Sequence, residues 1–313
     1  KSFIPANATV WLDWYFRNRN RLFAAFQVLE DNYSKRLYLS LISYKIGGHL
    51  SVKIPVEFSE NDEDIIELRR KLKYEDSKLE ALYKKEISHF KLKHVDFEFK
   101  NRKYVVDCNE GALENYLHRK QYFLERKGER IKPEKGDVVL DCGACLGDTS
   151  VVFGNSVGKE GKVFAFDPLS SHLAIINHNI KQNPNLNIVA VPFGVSNKSV
   201  NKEPVVFDVL DPGFNVLSDS NTPLIKIDDF VKRNSLDSVD FVKMDIEGSE
   251  LSALTGAMET LKRFKPKLAI SIYHGLNDFF EIINYLSSSQ IYSKFFVGHY
   301  TIHNEETVLY CSN

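Results

Sequence analysis

Apolar and polar positions follow two regimes along the chain. Over residues 11–46 the apolar positions recur at helical spacing: Leu22, Phe23, Phe26 and Leu29, then Leu37, Leu39, Leu41 and Ile42. Aromatics, Arg and Lys fill the rest, and GGHL (47–50) stops the segment. After the short apolar stretch SVKIPVEF comes SENDEDIIELRRKLKYEDSKLEALYKKEISHF. Ser59 with Asp62 three residues on is a variant capping box there, and acidic residues precede basic ones as the helix dipole prefers. The pattern predicts one long helix with a modest apolar stripe. HVDFEFKNRKYVVDC then predicts a hairpin with Asn101 near its turn.

From about residue 112 strands and helices alternate. ALENYLHRKQYFLERKG predicts a helix leading in. GDVVLDCG is a buried strand and GDTSVVFGNSV opens a helix. GKVFAFDP is a second strand, and Pro168 suits the first turn of LSSHLAIINHNIKQN. LNIVAVPFGV is a third strand, and DFVKMDIEG a fourth with SELSALTGAMETLKRF as its helix. KLAISIYH is a fifth, followed by the helix LNDFFEIINYLSS. YSKFFVGHY and ETVLYCSN close as an antiparallel hairpin. Continuous apolar strands alternating with helices imply a doubly wound α/β sheet covered on both faces. The chain therefore divides into a mainly helical region, 1–111, and an α/β domain, 112–313.

Composition narrows the function. A net charge of −1 over 313 residues gives no electrostatic case for nucleic acid or an anionic membrane. No apolar run approaches the roughly 18–20 residues of a membrane span. The residues after Lys1 form no apolar leader core, so no targeting segment is expected within the chain. Four cysteines are too few for a disulfide scaffold, and only Cys142 and Cys145 form a close pair where a four-cysteine zinc site needs two.

That pair lies in DCGACLGDT (141–149), where a strand hands over to a helix, the place a nucleotide-like ligand occupies in such a sheet. Glycines there let the backbone approach a ligand, and the helix start offers free N–H groups. The turn reads Asp141-x-Gly143-x-x-x-Gly147, one glycine short of the dinucleotide fingerprint. A thioredoxin-like pair would have little need of these glycines, so the cysteines read as incidental. The second strand ends in Asp167, some twenty residues after Gly147. An acidic residue there accepts from ribose hydroxyls, and it can also cap the helix behind Pro168. The order of glycine turn, acidic second strand and VKMDIEGSE resembles that of an S-adenosylmethionine binder.

VVLDCGACLGDTS, VFAFDP, VDFVKMDIEGSELSALTGA, PKLAISIYH and the terminal ETVLYC resemble the FkbM family of S-adenosylmethionine-dependent methyltransferases over residues 112–313. LISYKIGG resembles, more loosely, the helical segments that precede the core in many bacterial members. The resemblance implies a class I methyltransferase fold, a cytoplasmic enzyme, and transfer to a hydroxyl, often in glycan or natural-product biosynthesis. It implies that Asp141, Gly143 and Gly147 border the methionine part of the cofactor and that Thr149 reaches its carboxylate, with Asp167 on the ribose.

Period two places Lys243, Asp245 and Glu247 on one side of the fourth strand near its C-terminal end, the mouth of the sheet. Asp245 is the candidate to face the sulfonium or the acceptor hydroxyl, while Glu250 reads as a surface acid in the next first turn. His274, ending the fifth strand at the same mouth, is the candidate general base, titrating near the reference value of about 6.5. Asp245, Glu247 and His274 are also potential metal ligands, but no hard-cation motif is complete and a metal is not expected. His299 and His303 fall in a hairpin, where i, i+4 spacing does not converge them on zinc. The expected partner is a small-molecule or glycan acceptor, and the N-terminal region leaves room for a homo-oligomer. Other readings are nitrogen or carbon as the methylated atom, a dinucleotide-dependent oxidoreductase disfavoured by the missing glycine, and a cofactor-binding module without activity, disfavoured by Asp167, Asp245 and His274.

Overall fold

A computed structural model describes residues 8–56, 62–79, 91–201, 222–303 and 305–313. Helices α1 (Ala8–Val28) and α2 (Asn32–Gly47) come first. Asp31 starts α2 by accepting from the Ser34 N–H, and Gly48, with φ 73°, ends it. Leu22, Leu29, Leu37, Leu41 and Ile42 are buried, whereas Phe23 and Leu39 face solvent. The break at Asp31 resets the periodicity.

The single long helix expected beyond Ser59 is not what forms. Ser59 and residues 80–90 lie outside the described residues. The helix present, α3 (Glu63–Lys71), is capped by Asp62 and closed at Leu72. Glu75–Asp76 (β1) then pairs with the strand Leu92–Phe99 (β2). Ser77 also donates to the buried Asp107, so tertiary partners outweigh a weak helical preference. β2 and Arg102–Asn109 (β3) form the expected hairpin, turning through Lys100 and Asn101 at φ 51° and 60°. A two-residue turn matched to strand twist takes positive φ at both positions, which Asn tolerates.

The helix expected over 112–128 is also cut short. Only Ala112–Leu117 (α4) is helical, and Leu124–Arg126 (β4) with Glu129–Ile131 (β5) makes a small hairpin. Long-range bonds explain it. The Tyr122 N–H donates to the Tyr310 hydroxyl at 3.1 Å, and Arg126 pairs with Asp31 at 3.3 Å, both side chains buried.

The remaining elements are β6 (Val138–Cys142), α5 (Asp148–Val157), β7 (Lys162–Phe166), α6 (Ser170–Gln182), β8 (Ile188–Val191), β9 (Gly194–Val195), β10 (Leu224–Ile225), α7 (Ile227–Arg233), β11 (Phe241–Met244), α8 (Glu250–Thr255), α9 (Met258–Phe264), β12 (Lys267–Ser271), α10 (Asp278–Ser288), β13 (Lys294–His299) and β14 (Thr307–Ser312). Pro168 stands before the N-cap of α6 rather than in its first turn. The helix expected after the fourth strand is two pieces, α8 and α9, parted at Gly256.

Seven strands make one sheet in the order β13-β14-β12-β11-β6-β7-β8. β12, β11, β6, β7 and β8 are mutually parallel, and β14 runs antiparallel to both neighbours. This is the class I methyltransferase sheet with its terminal antiparallel hairpin. Strand order reverses between β6 and β11, the switch point where open α/β sheets bind ligands at the carboxyl ends of their strands.

Alternate residues of each strand feed opposite cores. Leu140, Phe164, Val242 and Leu268 join the core under α1, α2 and α7–α10. Val139, Ala165, Phe241 and Ala269 join the core under the β2–β3 hairpin and α5. Each core contains residues from both sides of position 111, so the first hundred residues complete the sheet's two covers. Burial decides this docking. A fully buried Leu contributes about 1.5–3 kcal/mol, against about 0–1 kcal/mol for an exposed pair such as Arg21–Glu281 between α1 and α10. No helix among the described residues is long and apolar enough to cross a membrane.

Candidate active site

The β6 turn is built from the inside. Asp141 is fully buried and meets Lys243 across the β6–β11 register, with Nζ 3.1 Å from Oδ1. Its other oxygen accepts from the hydroxyls of Thr149 at 2.7 Å and Ser150 at 2.6 Å. Lys243 donates to the Gly143 carbonyl at 2.7 Å. Burial works against the Lys243 cation, but the Asp141 and Asp245 charges outweigh it and raise its pKa. In this arrangement the Asp141 carboxylate and the Thr149 hydroxyl pin the turn from within, and neither side chain is open to a ligand.

The glycines serve chain packing. Gly143 has φ +78°, and a Cβ on it would lie 1.9 Å from the Asp245 carbonyl oxygen. Gly147, φ +81°, would place one 3.1 Å from Ile176 of α6. The turn thus backs onto the Asp245 loop on one side and α6 on the other. Burial raises the Cys142 and Cys145 thiols, keeping both protonated, the state that neither disulfide exchange nor zinc ligation uses.

Asp167 ends β7 and ties the turns together. Oδ1 accepts from the Leu169 N–H at 2.9 Å, and Oδ2 lies 3.1 Å from both the Cys145 nitrogen and His172 Nδ1. Each carboxylate oxygen has about two lone-pair sites. Oδ1 therefore keeps capacity for one more donor.

At the end of β11, Asp245 meets residues from two other places in the chain. The Tyr122 hydroxyl donates to its Oδ2 at 2.7 Å, and the Tyr273 hydroxyl to its Oδ1 at 3.3 Å. His274 Nε2 lies 3.4 Å from Asp245 Oδ1 and 3.5 Å from Glu247 Oε2. Tyr273 also donates to Glu306, which Gln121 contacts from its other side. β11 stops at Met244, and Glu247 takes φ 53°, so Glu247 reaches His274 through a turn rather than along a strand face.

Two expectations are corrected here. Glu250 sits in the first turn of α8, but it is fully buried: Oε1 accepts from the Ile246 N–H at 2.9 Å and lies 2.9 Å from His274 Nδ1. His274 does not titrate near 6.5. Burial disfavours its charge, yet the Glu250 hydrogen bond and the Asp245, Glu250 and Glu247 charges prevail and raise its pKa to about 9. At neutral pH it is a cation and a donor, not a ready base. Asp245 is also desolvated, but Lys243 and His274 hold it below the usual carboxylate range. Burial raises Glu306, with Asp245 adding to it, to about 7.

Sequence reasoning did not find Glu306, Tyr122, Tyr273 or Gln121. Their separation along the chain gives no local pattern, and only Tyr273 carries a signal, its place beside His274 at a strand end. A cavity of about 430 Å³ opens beside the β6 turn, and Glu306 is the member of this cluster that lines it. Glu110, Glu114, Asp148 and Glu306 supply carboxyl groups to its wall, with Arg119 opposing them, and Cys145 lines it from the turn. Burial lifts Asp148 to about 6.

Residues 141–293 match the model of the Methyltransferase FkbM domain. Among solved structures the chain is similar to a methyltransferase FkbM from Methylobacillus flagellatus KT, with 20% identity and a TM-score of 0.57 over 96% of this chain. The chain spans 60% of that protein's length. Weaker likenesses are Aeropyrum pernix fibrillarin with natively bound S-adenosyl-L-methionine (12% identity, 70% of this chain, 82% of the other, TM-score 0.42) and a putative rRNA-methylase from Clostridium thermocellum (14%, 57%, 86%, 0.38). Among curated proteins none matches the sequence. The turn at Asp141, the acidic end of β7, the Asp245 loop and β12 all lie within the matched residues, so the part of the chain that builds the site is similar to the FkbM methyltransferase domain.

Proposed function

We propose that the chain is an S-adenosylmethionine-dependent methyltransferase that methylates a hydroxyl of a sugar or a related polyhydroxylated small molecule. The acidic cavity beside the β6 turn carries this reading. Four carboxyl-bearing residues against one arginine suit a ligand bearing a sulfonium and an ammonium, and disfavour the pyrophosphate of a dinucleotide. The volume falls within the roughly 300–1,000 Å³ of ligand sites.

Residues of this chain fit the cofactor. Asp167, with its spare acceptor position, would hold the ribose, while the 143–147 turn, pinned from within by Asp141 and Thr149, would border the methionine part. Asp245 would lie towards the positive sulfur. When bound, S-adenosylmethionine supplies an electrophilic methyl group. Gln121, Tyr122, Tyr273 and His274 offer several hydrogen-bond donors close together, as an acceptor with many hydroxyls requires. His274, as a cation, would donate to the acceptor oxygen or to Glu247. Glu306 is the carboxylate of this cluster on the cavity wall, and burial, which raises its pKa to about 7, makes it a stronger base than an ordinary carboxylate, suited to take the hydroxyl proton. Residues 109–119, around α4, line the cavity's far side and would choose the acceptor.

The test is transfer of radiolabelled methyl from the cofactor to panels of neutral saccharides and of amines. Label is expected in a saccharide ether, and Glu306→Gln should lower turnover by roughly 10²–10⁴-fold, the usual contribution of a positioned base. Label confined to amines would overturn the acceptor assignment.

A further inference from the structure

We propose that Asp245 and His274 ligate a divalent cation at the mouth of the sheet, with Glu250 positioning the imidazole. Ligand-capable atoms of the three lie within 4.8 Å of one another. Asp245 Oδ1 and His274 Nε2 are 3.4 Å apart, too far for a good hydrogen bond. Two ligands held at about 2.1 Å from a shared cation are about 3.0–3.4 Å apart, so the spacing suits a common ion.

The second observation concerns unsatisfied atoms. His274 has a side chain 9% exposed, and its Nε2 has no hydrogen-bond partner although it points between Asp245 and Glu247. Glu250 is fully buried, and its Oε2 has no hydrogen-bond partner either. A buried polar atom left unpaired is costly, and a cation bound beside Asp245 would satisfy His274 Nε2. Entry of the ion displaces the His274 Nε2 proton to solvent, and Glu250 Oε1 at Nδ1 is then the arrangement in which a carboxylate fixes the tautomer and turns the other ring nitrogen towards a metal. The Ile246 N–H holds Glu250 in place for that task. Glu247, on the solvent side of His274, can close the coordination as an ion enters.

One imidazole with carboxylates suits Mn²⁺ or Zn²⁺ better than Ca²⁺, which takes six to eight oxygens. The cation would sit beside the cluster that receives the acceptor and would orient its hydroxyl. That role rests on the methyltransferase reading; the binding site does not.

Chelator-stripped protein should therefore be titrated with Mn²⁺, followed by electron paramagnetic resonance, and with Zn²⁺ by calorimetry, both without cofactor. One equivalent of at least one ion is expected. His274→Gln should weaken its binding at least 10-fold, and Glu250→Gln by roughly 10–100-fold, as loss of an orienting partner does. Thermal melting of each variant would show that the fold is retained. No stoichiometric binding of either ion, or wild-type affinity in both variants, would overturn the site. Cofactor binding without cation binding would remove this proposal and leave the methyltransferase reading standing.

Discussion

A Gly143→Ala variant is expected to lose about 3 kcal/mol or more of stability and, with it, cofactor binding. The left-handed conformation of residue 143 costs an L-residue roughly 1–2 kcal/mol. The larger cost is steric. A Cβ 1.9 Å from the Asp245 carbonyl oxygen and 2.8 Å from its carbon must push the Asp245 loop away by more than an ångström. Overpacking of that kind adds about 1–3 kcal/mol. The loop cannot yield alone, because the Asp245 N–H donates to Cys142 O and Gly143 O holds Lys243. Gly111→Ala is the control: φ is +88° there, but nothing lies within 4 Å of the added carbon. Urea midpoints should fall far more for Gly143→Ala than for Gly111→Ala. Equal, small shifts would mean that the junction between turn and loop is loose.

Lys243→Met is expected to be nearly as damaging. It removes the cation that lies 3.1 Å from Asp141 and leaves that carboxylate with no exposure to water. Breaking a buried pair by removing one partner costs about 3–5 kcal/mol. The methylene stem keeps its volume, so the loss is electrostatic rather than a cavity. Asp141→Asn combined with Lys243→Met should recover much of the stability, because the stranded charge is gone while Thr149 and Ser150 can still donate to the amide oxygen. A double-mutant cycle on urea midpoints measures the coupling. Additive losses would show that Lys243 does not neutralise Asp141.

The sheet was legible in the sequence because its strands are continuous apolar runs between turn residues, a signal that survives without tertiary information. The glycine turn and Asp167 were legible for the same reason: strand ends are punctuated locally. The purpose of the glycines was not. Gly143 is small because a carbonyl a hundred residues later occupies the space, which no spacing rule reveals. Glu250 read as a surface acid because its place in a first turn is favourable anyway; its burial depends on His274, 24 residues on. His274 read as a neutral-range base because its carboxylate neighbours were not in view. The stretch 112–128 read as a helix because its composition permits one. Tyr122, reaching Asp245, and Arg126, reaching Asp31, draw it into another shape.

The most direct measurement is a calorimetric titration of the protein with S-adenosylhomocysteine and, separately, with NAD. One equivalent of S-adenosylhomocysteine should bind and NAD should not, since the cavity wall is acidic and the turn lacks the dinucleotide glycine. Asp167→Ala should weaken S-adenosylhomocysteine by roughly 10–150-fold, the effect of about 1.5–3 kcal/mol from hydrogen bonds to a charged acceptor. Binding of NAD in place of S-adenosylhomocysteine would contradict the methyltransferase reading outright.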